Sequence, residues 1–325
     1  MLENTVDVLI HNGARVHWIY TYTSLKPTNV LSTLSCLALC SRGKPKHLTF
    51  ISSTAVLNTD HYASLTTPIL ESDTLDGSRK GLLTGYAQSK YVSEYLMREA
   101  GFRGLRGSVV RPGYIIGNPS IGIGPIDNFL LRTLKGNIQL FCRSDLGSNI
   151  INFVFVDYCV NIVVASSLHS PLEQGVGVVL VTSCPQLAFN AFLETLQKFR
   201  YNAPMVSYSE WRSALERYVS TEIQEQREPH ALLPLFDWVT ADLPSDMKSR
   251  TLENTNAQIV LMANGVDEKD CQVEVTQETV GAYLAFMCEI GFIGRPEGAE
   301  GMKLPVFRIG EEQREALKMV GRGGG

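Results

Sequence analysis

Two hydrophobic periods alternate along the first half of the chain. Short β-branched runs stand at residues 6–11 ("VDVLIH"), 47–53 ("HLTFISS"), 107–113 ("GSVVRPG") and 175–183 ("GVGVVLVTS"). Each reads as a short strand, the first of them a buried one. Between them lie stretches of helical period, at 29–41 ("NVLSTLSCLALCS") and at 86–100, with a shorter one at 129–136 closed by glycine. Strands alternating with helices predict a parallel sheet with crossover helices, an α/β fold of Rossmann-like type. A polar loop runs from the end of the second strand to about Gly85, and an Arg-Pro-Gly triplet closes the third.

Beyond Cys184 the period becomes helical throughout, in "LAFNAFLETLQKF", "SEWRSALERYVS" and "TQETVGAYLAFMCEIGF". The pattern predicts a Rossmann-like domain over 1–183 with a substrate-side insertion at about 114–150. A mostly helical region follows over 184–296, and then a flexible, Gly- and Glu-rich tail over 297–325. The longest apolar stretch, "INFVFVDYCVNIVVASSL", is interrupted by Asn152, Asp157 and Asn161. It reads as a buried strand running into a helix rather than as a membrane span.

Composition narrows the function classes. With 44% hydrophobic and 19% charged residues the chain is of soluble globular type, and its net charge of -4 leaves no basic footprint for nucleic acid. The seven cysteines are scattered, with no C-x-x-C pair, which suits reduced thiols in the cytoplasm. No metal-ligand spacing is present, and "MLENTVDVLIHNG" lacks the basic lead of a signal peptide.

Two Tyr-x-x-x-Lys pairs occur, Tyr22/Lys26 and Tyr86/Lys90, where chance composition supplies fewer than one. Lys26 precedes Pro27, which is expected to push it out of helical geometry. Tyr86 and Lys90 continue into "YVSEYLMREA" and share one helical face. Bringing a tyrosine from pKa ~10 to ~7 takes about 4 kcal/mol. A lysine ammonium at roughly 4 Å, in an effective dielectric near 20, supplies about that. The alternative is a surface tyrosine beside a solvated lysine. Upstream, "FISSTAV" sets Ser52, Ser53 and Thr54 at a strand end, where a hydroxyl either donates to a developing oxyanion or caps a turn.

The order strand–"SST", Tyr-x-x-x-Lys helix, strand–"RPG" resembles the extended short-chain dehydrogenase/reductase superfamily, whose catalytic set is Ser/Thr, Tyr and Lys. The resemblance implies that Ser53 is the catalytic hydroxyl, with Thr54 its nearest competitor, beside Tyr86 and Lys90. "IHNGA" would be the cofactor wall, placing Asn12, Gly13 and Ala14 along the dinucleotide with Ser52 and Lys90. Arg111, Pro112 and Gly113 would form the turn beside the nicotinamide. Longer stretches narrow it: "VDVLIHNGARVHWIYTYTSLKPTNVLST", "GLRGSVVRPGYIIGNPSIG", "INFVFVDY", "SEWRSALE" and "YLAFMCEIGFIGRPE" are similar to the thioester-reductase domain of fungal α-aminoadipate reductases and related nonribosomal-peptide-type enzymes. The likeness runs from about residue 5 to 296. It implies NADPH as cofactor and a phosphopantetheinylated carrier protein bearing an acyl thioester as partner. Tyr86 would donate the proton, Ser53 would hold the oxyanion, and Lys90 would keep Tyr86 acidic and bind the nicotinamide ribose. No nucleic acid or membrane enters.

Two departures stand out. The family's "PVD" is Phe155-Val156-Asp157 here, and the strand, Gly-rich turn and helix that would hold the pyrophosphate do not precede "TVDVLIHNGA". The sequence thus predicts a sheet lacking its first βαβ unit. Two other functions stay open: a non-catalytic remnant serving as a binding module, and a nucleotide-sugar epimerase or dehydratase, which the helical second half disfavours.

Overall fold

The computed structural model describes residues 2–17, 19–220, 228–246 and 249–306, with 310, 311, 315 and 317 beyond them. The chain divides into two compact units, one of residues 1–115, 152–186 and 249–274, the other of 116–151, 187–248 and 275–325.

The first unit is built on a four-stranded parallel sheet, β1 (Val8–His11), β2 (His47–Ile51), β3 (Arg106–Pro112) and β4 (Val176–Val181), in that spatial order. The register pairs Ile10 with Thr49, Thr49 with Ser108 and Ser108 with Gly177. Side chains alternate across the sheet, so neighbours in sequence serve opposite faces. Leu48, Phe50, Val109 and Val178 pack with Met97, Cys36, Leu37 and Cys40, residues of α1 (Ser32–Cys40) and α2 (Gly85–Phe102). On the other face Thr49 Oγ1 accepts from Ser167 Oγ (3.0 Å), and Ser108 Oγ donates to the Ser166 carbonyl (3.0 Å). Both serines lie on α3 (Val156–Leu168), which grows directly out of the strand Phe153–Phe155 as the apolar pattern predicts. No helix among the described residues is long and apolar enough to cross a membrane.

Three expectations need correction. Pro27 does not break the helix: Lys26 keeps αR geometry (φ -50°, ψ -46°), and Tyr22–Lys26 runs through a π turn at Pro27–Leu31 into α1. Pro27 is the sixth residue of this run and has no N–H for the i−4 carbonyl, and the π turn accommodates both the missing bond and the ring. Tyr22 and Lys26 therefore share a helix after all, and what sets them apart is that Lys26 is exposed. The division at 183/184 also differs. Residues 249–274 join the sheet unit, because Ile69 bridges to Leu252 and α4 (Thr255–Ala263) packs on α3 and β4. An apolar helix carries no mark of which core it will enter. Finally, part of the expected loose tail is bound: Gly298 N and Met302 N donate to the carbonyls of Arg200 (3.2 Å) and Lys198 (2.8 Å).

The second unit is mainly helical, with Phe129–Leu140, Phe189–Lys198, Tyr208–Val219 and Gln277–Glu289. Its core includes Phe189, Leu193, Leu196, Phe199, Trp211 and Leu284, all nearly inaccessible. Helix Tyr208–Val219 starts on a capping box in which Ser207 and Glu210 bond each other's backbone N–H. Buried Trp211 donates its indole N–H to Asn137 at 2.8 Å, satisfying the polar atom of an otherwise apolar contact.

Candidate active site

The inward face of α2 is polar. Tyr86, Lys90 and Glu94 follow one another at i, i+4 and i+8, and Ser89 and Ser93 lie beside them, with Ser89, Lys90, Ser93 and Glu94 buried. Thr84 caps the helix by accepting from Ala87 N at 3.2 Å. Gly85 lets the loop backbone cross the helix start, since a Cβ there would lie 2.4 Å from Tyr20 O and Tyr22 N.

The structure brings Ser53, Tyr86 and Lys90 together at the carboxyl end of β2. Ser53 follows that strand and caps the turn Thr54–Leu57, accepting from Ala55 N at 3.2 Å. The same hydroxyl acts on the Tyr86 phenol, holding its pKa down against burial, so capping and site roles coincide in one side chain. Thr54 stands next to it, half-buried, as the first residue of the turn.

Lys90 Nζ donates to the Ile51 carbonyl at 2.6 Å and lies 4.9 Å above the Phe50 ring and 5.9 Å from the Tyr86 ring centre. Burial lowers its pKa to about 8, against the pull of the Glu94 carboxylate. The expected direct acidification of Tyr86 by Lys90 is not realised. Burial raises the Tyr86 pKa, and what opposes the rise is the Ser53 hydroxyl. The ammonium is turned toward a backbone carbonyl and the ring face instead.

Two residues expected at the cofactor are buried structural groups. Arg111 Nε lies 3.0 Å from both carboxylate oxygens of Glu94 and its Nη2 2.6 Å from Oε2, with both side chains fully inaccessible. Ser52 is buried as well and donates its hydroxyl to Glu94. In a strand, residues that follow one another face opposite ways, so Ser53 reaches the site while Ser52 turns inward. Pro112 is buried, and Gly113 donates its N–H to Val181 O at 3.0 Å. A Cβ on Gly113 would stand 2.0 Å from Asn152 O, an oxygen already held by Tyr114 N at 2.7 Å. Gly113→Ala is therefore expected to cost about 1–3 kcal/mol, the range of overpacked sites, read as a lower urea midpoint with unchanged slope.

Beyond β1, Asn12 is exposed, while Gly13 and Ala14 line an open groove of about 730 Å³ with His11 and Arg15. The groove suits a flat ligand along its glycine wall: an added Cβ at Gly13 would have no heavy atom nearer than 4.0 Å. The residues at the strand ends thus fit a nicotinamide dinucleotide, with the Gly13 wall and Lys90 as the groups that would hold it.

Three contributors escaped the sequence reading. Glu94 gathers Arg111 and Ser52, and its signal was the polar i+8 position on an otherwise packed helix face. Asn29, 2% exposed in the π turn, donates to Ser89 Oγ at 2.9 Å and accepts from Ser93 Oγ on its carbonyl at 2.9 Å, tying that turn to α2. Buried His11 contacts Thr33 Oγ1 at 3.1 Å, and burial, with the Lys90 charge, lowers its pKa. Nothing local in the sequence marked Asn29 or His11.

Comparison with known proteins accords with this geometry. A family model described as "Male sterility protein", of NAD-binding type, matches residues 1–163. The L-2-aminoadipate reductase large subunit of Penicillium chrysogenum is 44% identical over 337 aligned residues, and the L-2-aminoadipate reductase of Saccharomyces cerevisiae is 40% identical over 336. Each alignment takes in 100% of this chain, which spans 24% of the length of either reductase. The crystal structure of the terminal R domain from the myxalamid PKS-NRPS biosynthetic pathway superposes with a TM-score of 0.77 at 27% identity, covering 91% of this chain and 71% of that one. The chain belongs to the NAD-binding Male sterility protein family and is homologous to the fungal L-2-aminoadipate reductases.

Proposed function

We propose that this chain is the reductive-release part of an acyl-thioester reductase: it takes an acyl group from a carrier protein's phosphopantetheine thiol and releases it as an aldehyde, with NADPH as reductant. The convergence of Ser53, Tyr86 and Lys90 at the strand ends carries this reading, and identity of 44% to a fungal L-2-aminoadipate reductase supports the L-2-aminoadipyl group as substrate. The bound dinucleotide supplies the hydride. The Tyr86 phenol, kept protonated at neutral pH by burial, donates to the thioester carbonyl oxygen. Ser53 shares that oxygen. Lys90 places a positive charge beneath the ring and holds the ribose. Collapse of the adduct leaves aldehyde and free carrier thiol, a two-electron reduction using one hydride and one proton.

The test uses the chain alone and grafted in place of the matching region of the Penicillium chrysogenum reductase. Aminoadipyl-carrier thioester and NADPH are supplied, and aldehyde is trapped as a hydrazone. Stoichiometric NADPH oxidation and hydrazone are expected. Thioester that stays intact in both settings overturns the reading.

A pH dependence follows from Lys90. At pH 7 its ammonium is mostly charged, and the charge is lost above about pH 8, well below the ordinary lysine range. The rate of reduction is expected to fall on an alkaline limb near pH 8, and Lys90→Arg, which keeps its charge, moves that limb upward. A limb unmoved in Lys90→Arg removes Lys90 as its source.

A further inference from the structure

The groove beyond β1 holds a cation that the described residues leave uncompensated and have positioned in advance. Arg15 makes no ion pair among the described residues. Its Nη2 donates to the neutral Tyr20 hydroxyl at 3.2 Å, and its guanidinium stands 4.5 Å over the Tyr20 ring. Tyr20 is itself stacked on His17 at 3.6 Å between ring centres.

The backbone of Arg15 is clamped as well. Its N–H donates to Asn29 Oδ1 at 2.8 Å, and its carbonyl accepts from Asn29 Nδ2 at 3.1 Å. Since Asn29 also donates to Ser89 of α2, Arg15 is referenced to the helix that carries Tyr86 and Lys90. No carboxylate among the described residues lines the groove. Of its hydroxyls, those of Ser32 and Ser35 donate to their own helix, at the Thr28 and Leu31 carbonyls. Most of the Arg15 N–H groups remain for a ligand, in a planar fork that matches phosphate oxygens.

We infer that Arg15 is a phosphate-binding residue of this groove, contacting a phosphate of the nicotinamide dinucleotide. The inference rests on the proposed reading of the site as a dinucleotide reductase. Two phosphates are available, the adenosine 2′-phosphate that only NADPH carries and the diphosphate common to NADPH and NADH. Preorganisation argues for affinity rather than rate, because the ordering cost of the side chain is met before binding.

The experiment titrates the full chain with NADPH and with NADH, following nicotinamide fluorescence, for wild type, Arg15→Gln and Arg15→Lys. Circular dichroism checks that each variant is folded; exposure of the guanidinium favours that. Arg15→Gln is expected to weaken NADPH about tenfold, with Arg15→Lys intermediate because charge is kept and the fork lost. A loss for NADPH alone places Arg15 on the 2′-phosphate, and an equal loss for NADH places it on the diphosphate. Unchanged affinity for both dinucleotides in folded Arg15→Gln overturns the assignment. Wild type that binds neither dinucleotide overturns the reading of the site itself, and the proposal with it.

Discussion

Tyr86→Phe is expected to reduce the rate of thioester reduction by about 10²–10⁴-fold while leaving dinucleotide affinity and fold unchanged. The substitution removes one oxygen and keeps the ring. Lys90 still faces an aromatic surface, and the helix keeps its Thr84 cap and its Asn29 tie. What disappears is the hydroxyl proposed as the donor to the carbonyl oxygen, the group whose pKa burial raises. Because burial holds the phenol protonated through neutral pH, no solvent group in that position replaces it readily. The measurement is single-turnover aldehyde formation with the dinucleotide titration run beside it. Turnover surviving at a tenth or more of wild type would remove Tyr86 as the proton donor.

The largest stability effect is expected at Glu94, away from the chemistry. Glu94→Ala leaves the Arg111 guanidinium fully buried without its carboxylate and removes the acceptor of Ser52. Breaking a buried pair this way costs about 3–5 kcal/mol. That is a large share of the 5–15 kcal/mol by which domains are ordinarily stable. Urea unfolding reads it directly. Glu94→Leu combined with Arg111→Met is expected to recover much of the loss, since a packed apolar pair replaces an ionic one at little net cost. If the double substitution is as unstable as the single, the loss comes from packing and not from the orphaned charge.

The positions of these two residues show what local pattern carries. Tyr86 and Lys90 were legible because four residues is one helical turn, so the spacing alone puts them on one face. Glu94 continues that stripe, yet its partner Arg111 stands 17 residues away on another element. An Arg-Pro-Gly turn looks the same in sequence whether its arginine faces a ligand or the core. Ser52 and Ser53 show the same limit at single-residue scale: both end a strand, and the pleat sends one to Glu94 and the other to Tyr86. Pro27 shows it in the backbone, where a local rule against helix yields to a π turn.

The α/β class, the four parallel strands, the helix bearing Tyr86 and Lys90, and the family to which the chain belongs all follow from local pattern along the chain. Periodicity and motif order are properties of neighbours along the chain, and they survive without knowledge of anything distant. Packing in three dimensions is what buries Arg111 and Ser52 with Glu94, places residues 249–274 with the sheet, and lets Asn29 clamp Arg15 beside an open groove. Those outcomes depend on which side chains meet after the strands are laid side by side. Burial and pairing, not residue type, separate a charge that supports the fold from one free to meet a ligand.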